Sequence, residues 1–181
     1  MNKLRKSLFI IPFLACSVFV TAQQEKSELD KQFSEVVSTD SVPSANLTKR
    51  AVNWVKTESP RFKKSMGVAT GSKAECLATF KIKAKELNPQ PDYTGIITMH
   101  VTIECKDNKY RYSITKMKHT ANNGKATGGD ITNIVPECGS MTMPDKTWKQ
   151  IKGEAFKNAS MIISELKEGM TKSASDSKDE W

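Results

Sequence analysis

Apolar residues recur along this chain with two different periods, and the changes of period divide it into elements. Residues 33–39, "FSEVVST", form a β-branched run that predicts a first strand. "DSVPS" breaks it at Pro43 and leaves Ser44 placed to cap a helix. From there Leu47, Ala51, Trp54 and Val55 fall at i, i+4, i+7 and i+8, one stripe of a helix that ends at Glu58-Ser59-Pro60.

The period then drops to two. "SMGVAT" (65–70) and "AECLATFKIKAK" (74–85) flank a "GSK" turn, and Cys76, Ala78, Phe80 and Ile82 alternate with Leu77, Thr79, Lys81 and Lys83. After the proline-bearing loop 86–92, "YTGIITMHVTIEC" (93–105) sends Ile97, Met99, Val101, Ile103 and Cys105 one way. Thr98, His100, Thr102 and Glu104 go the other. Residues 106–109, "KDNK", join it to "YRYSITK". Setting Cys105 opposite Tyr110 puts Ile103 against Tyr112 and Val101 against Ile114, all on the apolar face. The hexapeptide "CKDNKY" therefore reads as a hairpin tip, where Asp107 and Asn108 suit the turn and the charges need no further role.

Residues 119–142 are rich in Gly and Asn, with room for a short strand at "DITNIV", and read as a long loop that is either mobile or functional. A last helix begins near Pro144. Trp148, Ile151, Ala155, Ala159, Ile162 and Leu166 form its stripe, with Gly169 as its stop. Periodicity makes Trp54 and Trp148 core residues. One apolar sheet face and two striped helices predict a single α+β domain over 32–170. Its order is β-α-β-β-β-β-α, an antiparallel sheet with two helices packed on one face.

The ends read differently. Lys3, Arg5 and Lys6 precede an apolar run from Leu8 to Val20, and Val20 and Ala22 have the spacing that signal peptidase accepts. Residues 1–22 are thus expected to be a signal peptide, 23–31 a flexible N-terminus and 171–181 a disordered polar tail. A lipoprotein signal ending at Cys16 fits less well, because "FLA" precedes it and apolar residues continue beyond it. Cleavage lowers the formal charge from +8 by three, to +5, and leaves 159 of 181 residues. No second apolar run of membrane length follows, so the product is not expected to be integral to the membrane.

Residues 45–120 hold fifteen Lys or Arg against six acids. A basic middle permits an acidic partner such as a polysaccharide or a lipid headgroup, while alternating lysines on strands ordinarily form a solvated face.

The "F-x-x-V-V" strand, the "L-x-x-x-A-x-x-W-V" helix, the "YTGIITMHVTIECKDNKYRYSIT" hairpin and the final helix with its early Trp resemble an exported bacterial family. It is domain of unknown function 4468, with a TATA-binding-protein-like (TBP-like) fold, and the likeness spans about residues 29–168. The resemblance implies a curved antiparallel sheet with two helices on one side. It implies no reaction and no catalytic motif. DNA binding does not carry over from the fold's namesake, since fold does not fix function and the outward sheet face here lacks aromatic wedges.

Candidate chemistry is sparse. His100 and His119 are the only histidines, with no ligand spacing around them, so no metal and no cofactor is expected. Cys138 is the one formal nucleophile of the loop, but "PECGS" offers nothing to lower its pKa. "GKATGG" lacks the ending of a phosphate loop. Cys76 and Cys105 share the apolar face of neighbouring strands. They would form a disulfide if the register brought them opposite, and small core hydrophobes otherwise. Tyr93 and Tyr110, at strand ends, are candidate pocket-lining residues. These features favour a non-enzymatic module binding an envelope ligand or protein, with no nucleic acid among its partners. A small hydrolase-like enzyme using the 119–142 loop is the alternative. The exported protein should have the intact mass of a chain beginning at Gln23; a lipid-modified Cys16 at the N-terminus would overturn this reading of the leader.

Overall fold

The computed structural model describes residues 33–67, 69–83 and 92–171. The leader, the polar N-terminus, residues 84–91 and the tail from 172 lie outside them. In chain order the elements are β1 (Ser34–Ser38), α1 (Ser44–Lys56), β2 (Lys63–Met66), β3 (Lys73–Ile82), β4 (Gly95–Lys106), β5 (Lys109–Ala121), β6 (Gly129–Asp130) and α2 (Asp145–Thr171). The strands form one antiparallel sheet in the order β1-β5-β4-β3-β2, with β6 also paired to β5. Both helices cover the same face. The expected α+β architecture is present, with β6 as the short addition near residue 130.

The core lies between the layers. Ala74, Cys76, Ala78, Phe80 and Ile82 of β3 and Ile97, Met99, Val101, Ile103 and Cys105 of β4 are buried against Leu47, Ala51 and Trp54 of α1 and the Trp148-to-Met170 stripe of α2. The β4–β5 register pairs Cys105 with Tyr110, Ile103 with Tyr112 and Val101 with Ile114, as the apolar pattern predicts. Gly169 does not stop α2, which runs on to Thr171. A Cβ at Gly169 would lie 2.6 Å from Trp54 Cδ1, so glycine is there to let the indole of α1 pack on the helix backbone.

Strand β5 departs from simple alternation. Tyr110, Tyr112 and Ile114 face the helices, but so do Met117, His119 and Ala121, which have the opposite parity. The switch is a β-bulge: the register shifts between Thr98 and His100, and Lys116 takes a φ of +52°. The strand therefore continues well beyond Lys116, where its alternation first breaks, and takes in His119 and Ala121.

The hairpin tip has a role that the sequence alone does not assign to it. Ser44 is the first residue of α1, not its cap; Pro43 holds the cap position and offers no side-chain bond. Asp107 supplies it from 63 residues away, its Oδ1 accepting the Ser44 N–H at 2.8 Å. Asn108, at φ +62°, donates its N–H to the Val42 carbonyl at 2.9 Å and accepts the Thr39 N–H at 2.8 Å. No acidic residue occupies the first turn of α1, so this carboxylate is the anion at the positive end of the helix. Asp107→Ala should lower stability by about 1 kcal/mol. That would appear as a lower urea midpoint at unchanged slope. Asp107→Asn should retain most of it, and an unaltered midpoint in the alanine variant would refute the long-range cap.

Candidate functional site

On the helix side of the sheet, polar groups are committed to holding the layers together. The β2 register sets Lys64 opposite Ala78, toward the core, and its side chain is 3% exposed. The ammonium donates to the Trp54 carbonyl at 2.6 Å, lies 4.2 Å from the Trp54 ring centroid and 3.5 Å from Glu165 Oε1. Burial lowers the Lys64 pKa and Glu165 opposes that shift. Ser59 donates to the other Glu165 oxygen at 2.9 Å. A depression of about 410 Å³ opens beside this cluster, lined in part by Thr57, Ser59 and Phe62. The lysine beneath it is already spent on β2, α1 and α2.

Glu35 makes a similar tie at the other edge. It accepts the Tyr112 hydroxyl at 2.6 Å and the Lys167 ammonium at 2.7 Å, and these two bonds lower its pKa.

His119 is fully buried, through the bulge. Its Nδ1 accepts the Gly128 N–H at 3.1 Å, so Nε2 carries the proton and donates to the Tyr93 carbonyl at 3.1 Å. Both nitrogens are occupied, one by the segment just before β4 and one by the loop that follows β5. Burial holds its pKa below the ordinary imidazole value. The loop itself is packed: Ala126, Ile131 and Met143 are buried, and Trp148 Nε1 donates to the Asn133 carbonyl at 3.1 Å. Cys138 is half-buried, and burial raises its thiol pKa, the reverse of an activated nucleophile.

The remaining residues singled out by the sequence separate in space. The register sets Cys76 opposite Val101, while Cys105 lies four residues further along β4. That is about 13 Å, beyond the reach of a disulfide. Of the two readings the register leaves the small core hydrophobes and rules out the bridge: both are free, buried thiols, with Cys76 pushed up to about 11 by burial. Tyr93 and Tyr110, the candidate pocket-lining residues, are both buried. Tyr93 donates to the Thr142 carbonyl at 3.0 Å and secures the loop, whereas Tyr110 does border a depression of about 240 Å³ on the free face. Among the described residues no three His, Cys, Asp or Glu side chains converge as metal ligands, and no helix is long and apolar enough to cross a membrane.

What remains available is the sheet face that no helix covers. Strand parity places Lys63, Lys73, Lys81, Lys106, Lys109, Arg111 and Lys118 on it, seven cations against Glu75, Glu104 and Asp130. Two of the three acids are already used on the face itself, Glu75 by Lys73 at 2.6 Å and Glu104 by Arg111. The Lys73 bond also lowers the Glu75 pKa. Lys63, Lys81, Lys106, Lys109 and Lys118 make no ion pair among the described residues. Serine and threonine fill much of the middle around the exposed His100, and no Phe, Tyr or Trp side chain among the described residues projects from the face.

Comparison with known proteins agrees with this architecture. Residues 33–120 match the family described as "Domain of unknown function (DUF4468) with TBP-like fold". The chain is similar to the crystal structure of a TBP-like protein from Parabacteroides distasonis ATCC 8503, with a TM-score of 0.53 at 13% identity, covering 77% of this chain and 92% of that one. It is also similar to a DUF4468 family protein from Bacteroides ovatus ATCC 8483, with a TM-score of 0.54 at 7% identity over 77% of this chain and 85% of that one. No curated protein matches. The family and fold resemblance drawn from the strand, helix and hairpin residues is borne out; at these identities the solved structures speak for the fold alone.

The buried histidine gives the fold a pH dependence of definite sign. Below the ordinary value of about 6.5 the unfolded chain binds a proton that folded His119 refuses, so stability falls as pH drops through that value. The steepest possible contribution is about 1.4 kcal/mol per pH unit. Glu35 and Glu75, with lowered pKa values, contribute stability that is lost only at more acidic pH. Urea midpoints between pH 7 and pH 5 should therefore fall for the native chain and stay nearly flat for His119→Gln. Equal slopes would show that the histidine is not the titrating group.

Proposed function

We propose that this chain, matched to the DUF4468 family over residues 33–120, is a non-enzymatic exported module that binds an acidic partner of the cell envelope through the free face of its sheet. The observation that carries the reading is the charge left on that face: seven cations to three acids, with two of the acids neutralised locally. A surface with one excess sign attracts partners of the other sign and accelerates their encounter. The interior supports the same reading from the opposite side. Lys64, Glu35 and His119, the groups best suited to chemistry by burial or pairing, are each consumed by contacts between elements. Cys138, the one formal nucleophile of the 119–142 loop, has its thiol pKa raised by burial, the reverse of activation.

Export rests on the leader read from residues 1–22, and the lack of Phe, Tyr and Trp on the described face argues against nucleic acid, whose unpaired bases stack on such rings.

Labelled polyglutamate, a featureless polyanion, provides the direct test. Replacing Lys63, Lys81 and Lys118 with Gln should weaken its binding on the order of tenfold and flatten the dependence on salt. Replacing the exposed Lys146, Lys149 and Lys157 of α2 removes the same charge and should change little. Equal losses from the two triple variants would place the attraction in net charge alone and overturn the sheet face as the site.

A further inference from the structure

Resting on that reading, we infer that the acidic partner is an acidic polysaccharide, laid along the strands of the free face between two lysine groups. The first group, Lys106 and Lys109, closes the hairpin end beside the depression of about 240 Å³ that also touches Val36, Glu104 and Arg111. The second, Lys63, Lys81 and Lys118, stands at the rows of Thr98 and Ile96. From Lys106 to Thr98 is eight residues of β4, about 27 Å at strand spacing. The face therefore calls for an extended ligand that carries negative charge at both ends of such a span.

The surface between the two groups decides which polyanion fits. Ser113 and Thr115 point outward between the groups, beside the exposed His100 and the ion-paired Glu75 and Glu104. Thr79 and Thr98 stand in the second group's own row, and within the described residues these four hydroxyls make no hydrogen bond. Thr102 is engaged, donating to Glu75 at 3.2 Å, as is Ser65 of β2, which donates to the Leu77 carbonyl at 3.3 Å. A hydroxyl both donates and accepts, which suits the hydroxyl and ring oxygens that a sugar chain presents between its acidic groups. A carboxylate polymer on a polypeptide backbone lacks that matching array along its side chains. An anionic bilayer would meet the lysines but would leave the hydroxyl band against headgroups, with only Val36, Leu77 and Ile96 scattered as apolar residues. Lysine also serves here better than arginine would, as a compact charge with three donors that follows a flexible chain.

Calorimetric titration of the full chain with polygalacturonate, with polyglutamate of equal charge, and with vesicles of anionic phospholipid separates these cases. Polygalacturonate is expected to bind on the order of tenfold tighter than polyglutamate. The Thr98→Val, Thr115→Val double variant keeps the β-branched shape and should erase that advantage without altering the salt dependence. Equal binding of the two polymers, unaffected by the valines, would overturn the polysaccharide while leaving the acidic-partner reading intact. Vesicle binding with no polymer binding would do the same in favour of a lipid surface. No binding to any of the three would overturn both.

Discussion

Strand β5 must keep apolar residues toward the helices over thirteen positions, and a strict period of two cannot do it with this sequence. The bulge at Lys116 resolves the conflict by spending one extra residue. Before it, Tyr110, Tyr112 and Ile114 face inward; after it, Met117, His119 and Ala121 do. Much of the fold follows from that shift. Past the bulge β5 carries β6 on its outer edge, with Ile131 donating its N–H to the Met117 carbonyl at 3.0 Å. His119 turns inward to fasten the loop at Gly128. Gly128 in turn lies so close to Trp148 that a Cβ there would be 2.3 Å from the ring. One backbone irregularity thus couples the sheet, the loop and the head of α2.

The elements with clean periods are legible in the amino-acid sequence itself. The hairpin register around residues 101–114 follows from matched apolar faces, and both helix stripes lie where their spacing predicts. What the sequence hides has a common cause: it depends on contacts between residues far apart along the chain. The 114-to-117 spacing in "ITKMK" is the available sign of a bulge, since two inward residues three apart cannot lie on an unbroken strand. Nothing local announces that Asp107 caps a helix 63 residues earlier, or that Gly169 accommodates Trp54. The disulfide between Cys76 and Cys105 fails for the same reason, because shared parity on adjacent strands says nothing about their offset along them.

The loop between β5 and α2 shows why composition misleads about order. Glycine and asparagine suggest mobility or function, yet here they serve packing and turns. Gly124 and Gly129 adopt φ values of +72° and +74°, and Asn133 offers its carbonyl to both Trp148 and Lys152. Three buried apolar side chains and the Tyr93 hydroxyl hold the segment down. Its polarity reflects backbone geometry and hydrogen bonding.

Charge divides along the same line as burial. Acids on the helix side are partners in structure: Glu165 meets Lys64 and Ser59, while Glu35 meets Lys167 and Tyr112. Each cation so engaged is removed from the surface field. On the free face the two neutralised acids take only Lys73 and Arg111, and five lysines keep their charge. The basic middle visible in the sequence is therefore not a uniform property of residues 45–120. Alternation sends Lys63 outward and Lys64 inward, and the single step between them separates a lysine that can meet a partner from one that holds the fold together.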